Sequence, residues 1–171
     1  MIAQAGRAIF LEPLARTLLL VHAIVGFTTV FSCTHHAVYA WLSLRGPKRV
    51  PQLLRFGWIA PLAVGAQLLL GLVLYPTYRV RVRGAHFDHE NLNWLSQLFD
   101  FKEHSAALAL PLVLAAALIG RALAKESSPD ADAQKKIARA VAALSTTAAA
   151  LVWAAALIGL YITARHPVGL P

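Results

Sequence analysis

Three histidines stand in the run Thr17–Leu44, TLLLVHAIVGFTTVFSCTHHAVYAWLSL, which spans 28 residues without Asp, Glu, Lys or Arg. An ionisable side chain inside such an apolar segment is costly to keep and marks a functional position by default. His22 and His36 are 14 residues apart. At ~100° and ~1.5 Å per residue that is nearly four full turns, so the two share one helical face about 21 Å apart. His35 is turned ~100° from His36 and is expected to look elsewhere. One face carrying an imidazole at two depths suits a helix that holds haem in a membrane.

The partner for His22 is sought at the same depth. His22 lies six residues beyond Arg16, and His104 four residues beyond Asp100 in LSQLFDFKEH. Those offsets are ~9 Å and ~6 Å of helical rise, so the two levels match. Parallel, diagonal helices of a four-helix bundle can present two imidazoles to one iron between them. The only methionine is Met1, so His–Met ligation is closed and His–His remains. The expectation is one haem b, ligated by His22 and His104. Arg79, Arg81 and Arg83 lie toward the same side, where their guanidinium groups suit the haem propionates. The plainer alternatives are that these arginines are solvated or meet lipid phosphate, that His104 is interfacial beside Lys102 and Glu103, and that His22 hydrogen-bonds a Ser or Thr.

His36 has no such partner, because the position fourteen beyond His104 is Leu118. A second haem there would need an unusual ligand, a partner subunit or an open coordination position, and is not expected. Cys33 and His36 are i,i+3 on one face and with His35 offer copper or zinc ligands, yet a closed site of that kind wants three or four. His86-Phe87-Asp88-His89-Glu90 reads as a polar loop, and His166 as interfacial. No P-loop, G-x-S-x-G or H-E-x-x-H motif occurs, and no carboxylate sits in mid-span.

The elements that must position these residues follow from composition. The 171 residues are 58% hydrophobic and only 14% charged, against the roughly 25% charge of an average soluble domain. A net charge of +8 does not make a nucleic-acid binder, because the bases flank apolar runs and form no stripe with interleaved aromatics. Such bases more simply orient the chain and touch lipid phosphates. The pattern predicts a single all-α domain over 1–171: an integral membrane four-helix bundle, up-down-up-down, with both termini on one side. The predicted helices are 14–44, 52–76, 98–124 and 133–165.

Pro61 is expected to bend the second helix and Pro76 to end it, with Gln67 its one amide. Gly57, Gly65 and Gly71 would let a neighbour or a flat ligand approach. The extramembrane loop 79–97 opens with Tyr78-Arg79-Val80-Arg81-Val82-Arg83, whose period of two predicts a short strand or extended arm. Met1–Leu14 is expected along the interface, with a helix start at Glu12-Pro13, and Glu126–Gln134 as a polar linker. Nine of the sixteen Lys and Arg lie in the first and third loops or beside them: Arg45, Lys48, Arg49, Arg55, Arg121, Lys125, Lys135, Lys136 and Arg139. The positive-inside rule then puts that side in the cytoplasm of a bacterial-type inner membrane, and both termini with loop 79–97 in the periplasm.

The spacing of His22 and His36 is similar to that of b-type cytochromes, which carry histidines about this far apart on one helix and again on another. Here the third helix supplies only His104. That resemblance implies an electron-transfer subunit of a larger redox complex, with quinone or other redox subunits as partners and a homo- or hetero-oligomeric assembly. A second resemblance is to small membrane protoporphyrinogen oxidases and copper-resistance D-type membrane proteins. Val21-His22-Ala23 looks like their early-helix histidine. Arg55-Phe56-Gly57-Trp58-Ile59-Ala60-Pro61 resembles their second helix. Lys102, in Phe101-Lys102-Glu103-His104, stands where a basic residue opens their third. This implies porphyrin metabolism, with His22 and Lys102 contacting the tetrapyrrole. A cofactor-free assembly subunit is the remaining reading.

Overall fold

The structure, a computed structural model, describes residues 9–125 and 131–165, apart from the side chains of residues 86 and 165. Four long helices carry these residues, and no strand occurs among them. A short 3-10 turn, Glu12–Leu14, with Pro13 in its first turn, leads into α1, Ala15–Ser43. Gly46 then reverses the chain at φ +155°, a backbone region that L side chains rarely enter. A second 3-10 turn, Pro47–Arg49, opens onto α2, Val50–Tyr78. The third helix, α3, is Asn93–Lys125, and α4 is Ala131–Arg165. All four are long and apolar enough to cross a membrane.

Side-chain contacts show that neighbouring helices run antiparallel. Along α1 and α2, His22 meets Gly71 and His36 meets Gly57. On α2 and α3, Arg121 donates to the Leu54 carbonyl at one end, while Tyr78 stacks on Phe99 at the other. Lys102 lies on Gly159 and Val141 on Gly120 between α3 and α4. The ring closes between α1 and α4, where Trp153 donates to Thr34 and Trp41 to Thr146. The start of α1 and the end of α2 therefore share one end of the bundle with the start of α3 and the end of α4. This is end A here, and the opposite end is end B.

The interior is made of small residues. Ala37, Ala60, Ala109, Ala148 and Ala149 surround Cys33, Val64, Val113 and Val152, and Ala40, Ala116 and Ala142 continue the core toward end B. The large apolar side chains face out, among them Phe27, Leu62, Leu69 and Leu72, each about two-thirds exposed. That is the reverse of a soluble bundle and is how helices pack in lipid, where close backbone approach replaces the hydrophobic drive. Interior hydroxyls bond to backbone: Thr29 donates to the Val25 and Ala63 carbonyls, Ser145 to that of Val141.

Three expectations are corrected. The residues after Tyr78 form neither strand nor extended arm; Arg79–Phe87 is a π-helix that prolongs α2. Tyr78, Val82 and Phe87 are buried, four and five residues apart, and the wide i→i+5 turn places them on one side. The period of two was coincidental with this longer one. Pro76 does not end α2, which runs past it to Tyr78 and on into the π segment. The loop 79–97 accordingly shrinks, since α3 begins at Asn93, five residues ahead of the predicted start, with Leu95 and Phe99 packed on Tyr78 and Val82. Of the other expectations, those on Met1–Ala8, 126–130 and His166 lie outside the described residues, while Ala131–Gln134, expected in the polar linker, opens α4.

Candidate functional site

At end A, α1 and α2 exchange side chains into each other's glycines. His22 lies over Gly71, with its Cε1 3.7 Å from where a Cβ would stand, and Gln67 lies over Gly26, with Nε2 3.2 Å from the corresponding point. Each helix thus carries a polar residue and a glycine at i,i+4, and antiparallel pairing sets polar against glycine twice. The Gln67 amide donates to His22 Nε2 at 2.9 Å. That leaves the proton of the neutral ring on Nδ1. His22 Nδ1 and Gln67 Oε1 are buried and have no partner. Among the described residues the pair therefore leaves one donor and one acceptor unused.

The third member of this end is Lys102. Its stem runs over Gly159 of α4, 3.4 Å from where a Cβ would stand, and its ammonium lies 4.9 Å from the centroid of the Phe99 ring. Phe99 in turn stacks on Tyr78 at 3.7 Å, with Phe87 edge-on beyond. Lys102 makes no salt bridge to any described residue. An imidazole–amide pair and, among the described residues, a cation without a bonded carboxylate thus lie at this end, each against a glycine of a neighbouring helix.

His36 occupies the other half of the same face in different company. It is 1% exposed, and neither ring nitrogen has a partner. Its Nε2 comes within 3.5 Å of where a Gly57 Cβ would stand, as does the Ala117 methyl. His35 faces away, as expected: its Nδ1 lies 2.8 Å from the Phe31 carbonyl, and its ring stacks on Phe56 beside Tyr39.

The remaining predicted site residues are scattered. His104 is exposed, and its Nδ1 lies 2.6 Å from the Asp100 carbonyl of its own helix. No hydrogen bond joins it to His22, and α1 and α3 are diagonal in the bundle. Arg81 pairs with Glu12 and Arg83 with Asp100, so two of the three arginines already hold carboxylates of this chain; Arg79 is exposed. Among the described residues no group of three or more His, Cys, Asp or Glu gathers as a metal site.

Sequence reasoning undervalued two contacts. Gln67 had the signal of being the lone amide of its span, and the i,i+4 spacing of His22–Gly26 and Gln67–Gly71 would have paired it. Arg121, whose guanidinium lies 3.6 Å from the Trp58 ring centroid, clamps α2 to α3 at end B. His22, Gln67 and Lys102 all lie at end A, whereas His104 lies on the outer face of α3. No known family matches the chain, and no characterised protein or solved structure matches it.

Proposed function

We propose that this chain is an integral membrane protein that binds a tetrapyrrole at end A for redox chemistry. The observation that carries the reading is that end A holds His22 bonded to Gln67, with a buried Nδ1, and a Lys102 ammonium, both unpaired among the described residues. A tetrapyrrole brings carboxylates, which a half-buried ammonium binds strongly. The bound group supplies the electron chemistry. The protein's part is to contact the ring through His22, to hold a ring carboxylate at Lys102, to orient the imidazole through Gln67, and to exclude water. Arg79, and Arg81 or Arg83 on release from its own carboxylate, would receive an outward-facing propionate.

The test is absorption spectroscopy of the detergent-purified protein, as isolated and after addition of haem. A bound ring absorbing in the Soret region is expected. It is lost in His22→Ala, weakened by about tenfold or more in Lys102→Met through loss of a charge-assisted contact, and kept in His104→Ala. Loss in both His22→Ala and His104→Ala restores the in-chain bis-histidine haem b. No ring bound by the wild type, or a ring held equally by all three variants, overturns the proposal. Oxidation of a porphyrinogen by the pure protein with a quinone acceptor would make the ring a substrate. Orientation is tested separately: a reporter fused after Lys125 is expected in the cytoplasm, and a periplasmic signal reverses it.

A further inference from the structure

The end-B half of the α1 face holds a pair that the tetrapyrrole reading does not use. Cys33 is a free thiol, 1% exposed, and His36 is equally buried with both ring nitrogens unpartnered. They are i,i+3 on one helix, the spacing at which helical side chains are neighbours. Their surroundings put both on the same side. Cys33 belongs to the core with Ala60 of α2 and Val113 of α3, while His36 lies against Gly57 of α2, one turn nearer end B, where the Ala117 methyl of α3 also approaches. An imidazole sealed from water without a hydrogen bond is costly, and here no protein group relieves it.

We propose that Cys33 and His36 form a two-coordinate site for a soft monovalent metal ion of the Cu(I) class. Three considerations select that ion. Thiolate and imidazole are its ligand types. Closed d¹⁰ monovalent ions accept two ligands in a line, and with His35 turned away and no third His, Cys, Asp or Glu gathered there among the described residues, two are what the site offers. Charge decides against divalent ions. One thiolate and one monovalent cation sum to zero, a neutral complex that an apolar interior tolerates. Zinc on the same two ligands would leave a net positive charge buried, at a cost of several kcal/mol. In the binding step the Cys33 S–H bond breaks, an S–metal bond and an N–metal bond form, and the proton leaves to water. No electron is transferred.

The experiment titrates the metal-free, detergent-purified full chain anaerobically with Cu(I), and separately with redox-silent Ag(I), against a chromophoric Cu(I) chelator. One equivalent held per chain is expected. X-ray absorption of the copper-loaded protein should show one sulfur and one nitrogen neighbour. Cys33→Ser and His36→Gln should each weaken binding by roughly 100-fold, and His22→Ala should leave it unchanged, so that this site and the tetrapyrrole reading fail independently. The absorption measurement on the wild type decides the matter if a variant does not assemble. No metal held against the chelator, a ligand set without sulfur, or undiminished binding in either variant overturns the proposal.

Discussion

His22 and His36 occupy one face of one helix, yet the molecule treats them oppositely. At end A, α2 answers the imidazole with an amide, and each polar side chain is received by a glycine across the interface. At end B, α2 answers with Gly57 alone, and the ring is sealed among small apolar residues with both nitrogens idle. What separates them is the complement on α2 at positions 57 and 67. The lesson is that a histidine's place on a helical face says little about its chemistry until the facing helix is known. The first ring is held by a neighbour and only partly exposed. The second is fully buried and, among the described residues, unpartnered.

The largest expected effect tests how tightly end B is closed. Gly57→Leu drives branched carbons into space where a Cβ alone would already sit 3.5 Å from the Ala117 methyl and His36 Nε2. Overpacking of this kind costs about 1–3 kcal/mol. Gly65, on the same helix with nothing within 4 Å of its Cβ position, is the control, and Gly65→Leu should be close to neutral. Denaturation of the two variants in mixed detergent micelles reads the difference. Equal midpoints would mean that the glycine at 57 is not packed as described.

Next in size is a difference of sign. His22→Leu removes the acceptor that satisfies the Gln67 amide and leaves a buried donor unpaired, which costs about 1–3 kcal/mol. His36→Leu removes two unsatisfied nitrogens from an apolar site and should be neutral or stabilising in metal-free protein. The cycle His22→Leu, Gln67→Leu and the double variant isolates the contact itself, expected at about 0.6–2 kcal/mol for a bond between helices in an apolar medium. A coupling near zero would reduce the His22–Gln67 bond to a bystander. A strongly destabilised His36→Leu would show that its ring is held by a partner.

These variants also locate what the sequence made legible. The four helices were, because long charge-free runs leave the backbone few alternatives in an apolar solvent. So was the shared face of His22 and His36, which is a matter of angle alone. The pairing of His22 was not. Depth matching proposed His104, but depth fixes only the level along a helix, and the outward rotation of His104 depends on which side of α3 carries Ser105, Ala109, Val113 and Ala116 into the core. That stripe of small residues was readable as an interior face only by abandoning the soluble rule that large apolar side chains point inward. The arginines misled for a related reason: three at spacing two resembled a strand, although Tyr78, Val82 and Phe87 already marked the wider turn.

The smallest effect separates two kinds of contact at that wider turn. The π-helix is held by Val82 packed with Tyr78, Phe87, Leu95 and Phe99, and by the Arg81–Glu12 and Arg83–Asp100 pairs. Val82 is 3% exposed, whereas Arg81 is more than half exposed and its pair is screened by solvent. Val82→Ala should therefore lower stability by roughly 1–2 kcal/mol, the cost of deleting two buried carbons. Arg81→Ala should leave the denaturation midpoint unchanged within error, at low and at high salt. If the ranking were reversed, the turn would be held by charge, and raising the ionic strength would loosen it in the wild type. In that case the arginines would not be free to leave their carboxylates for a propionate at end A, and their predicted part there would fall with the ranking, while His22 and Lys102 would stand untouched.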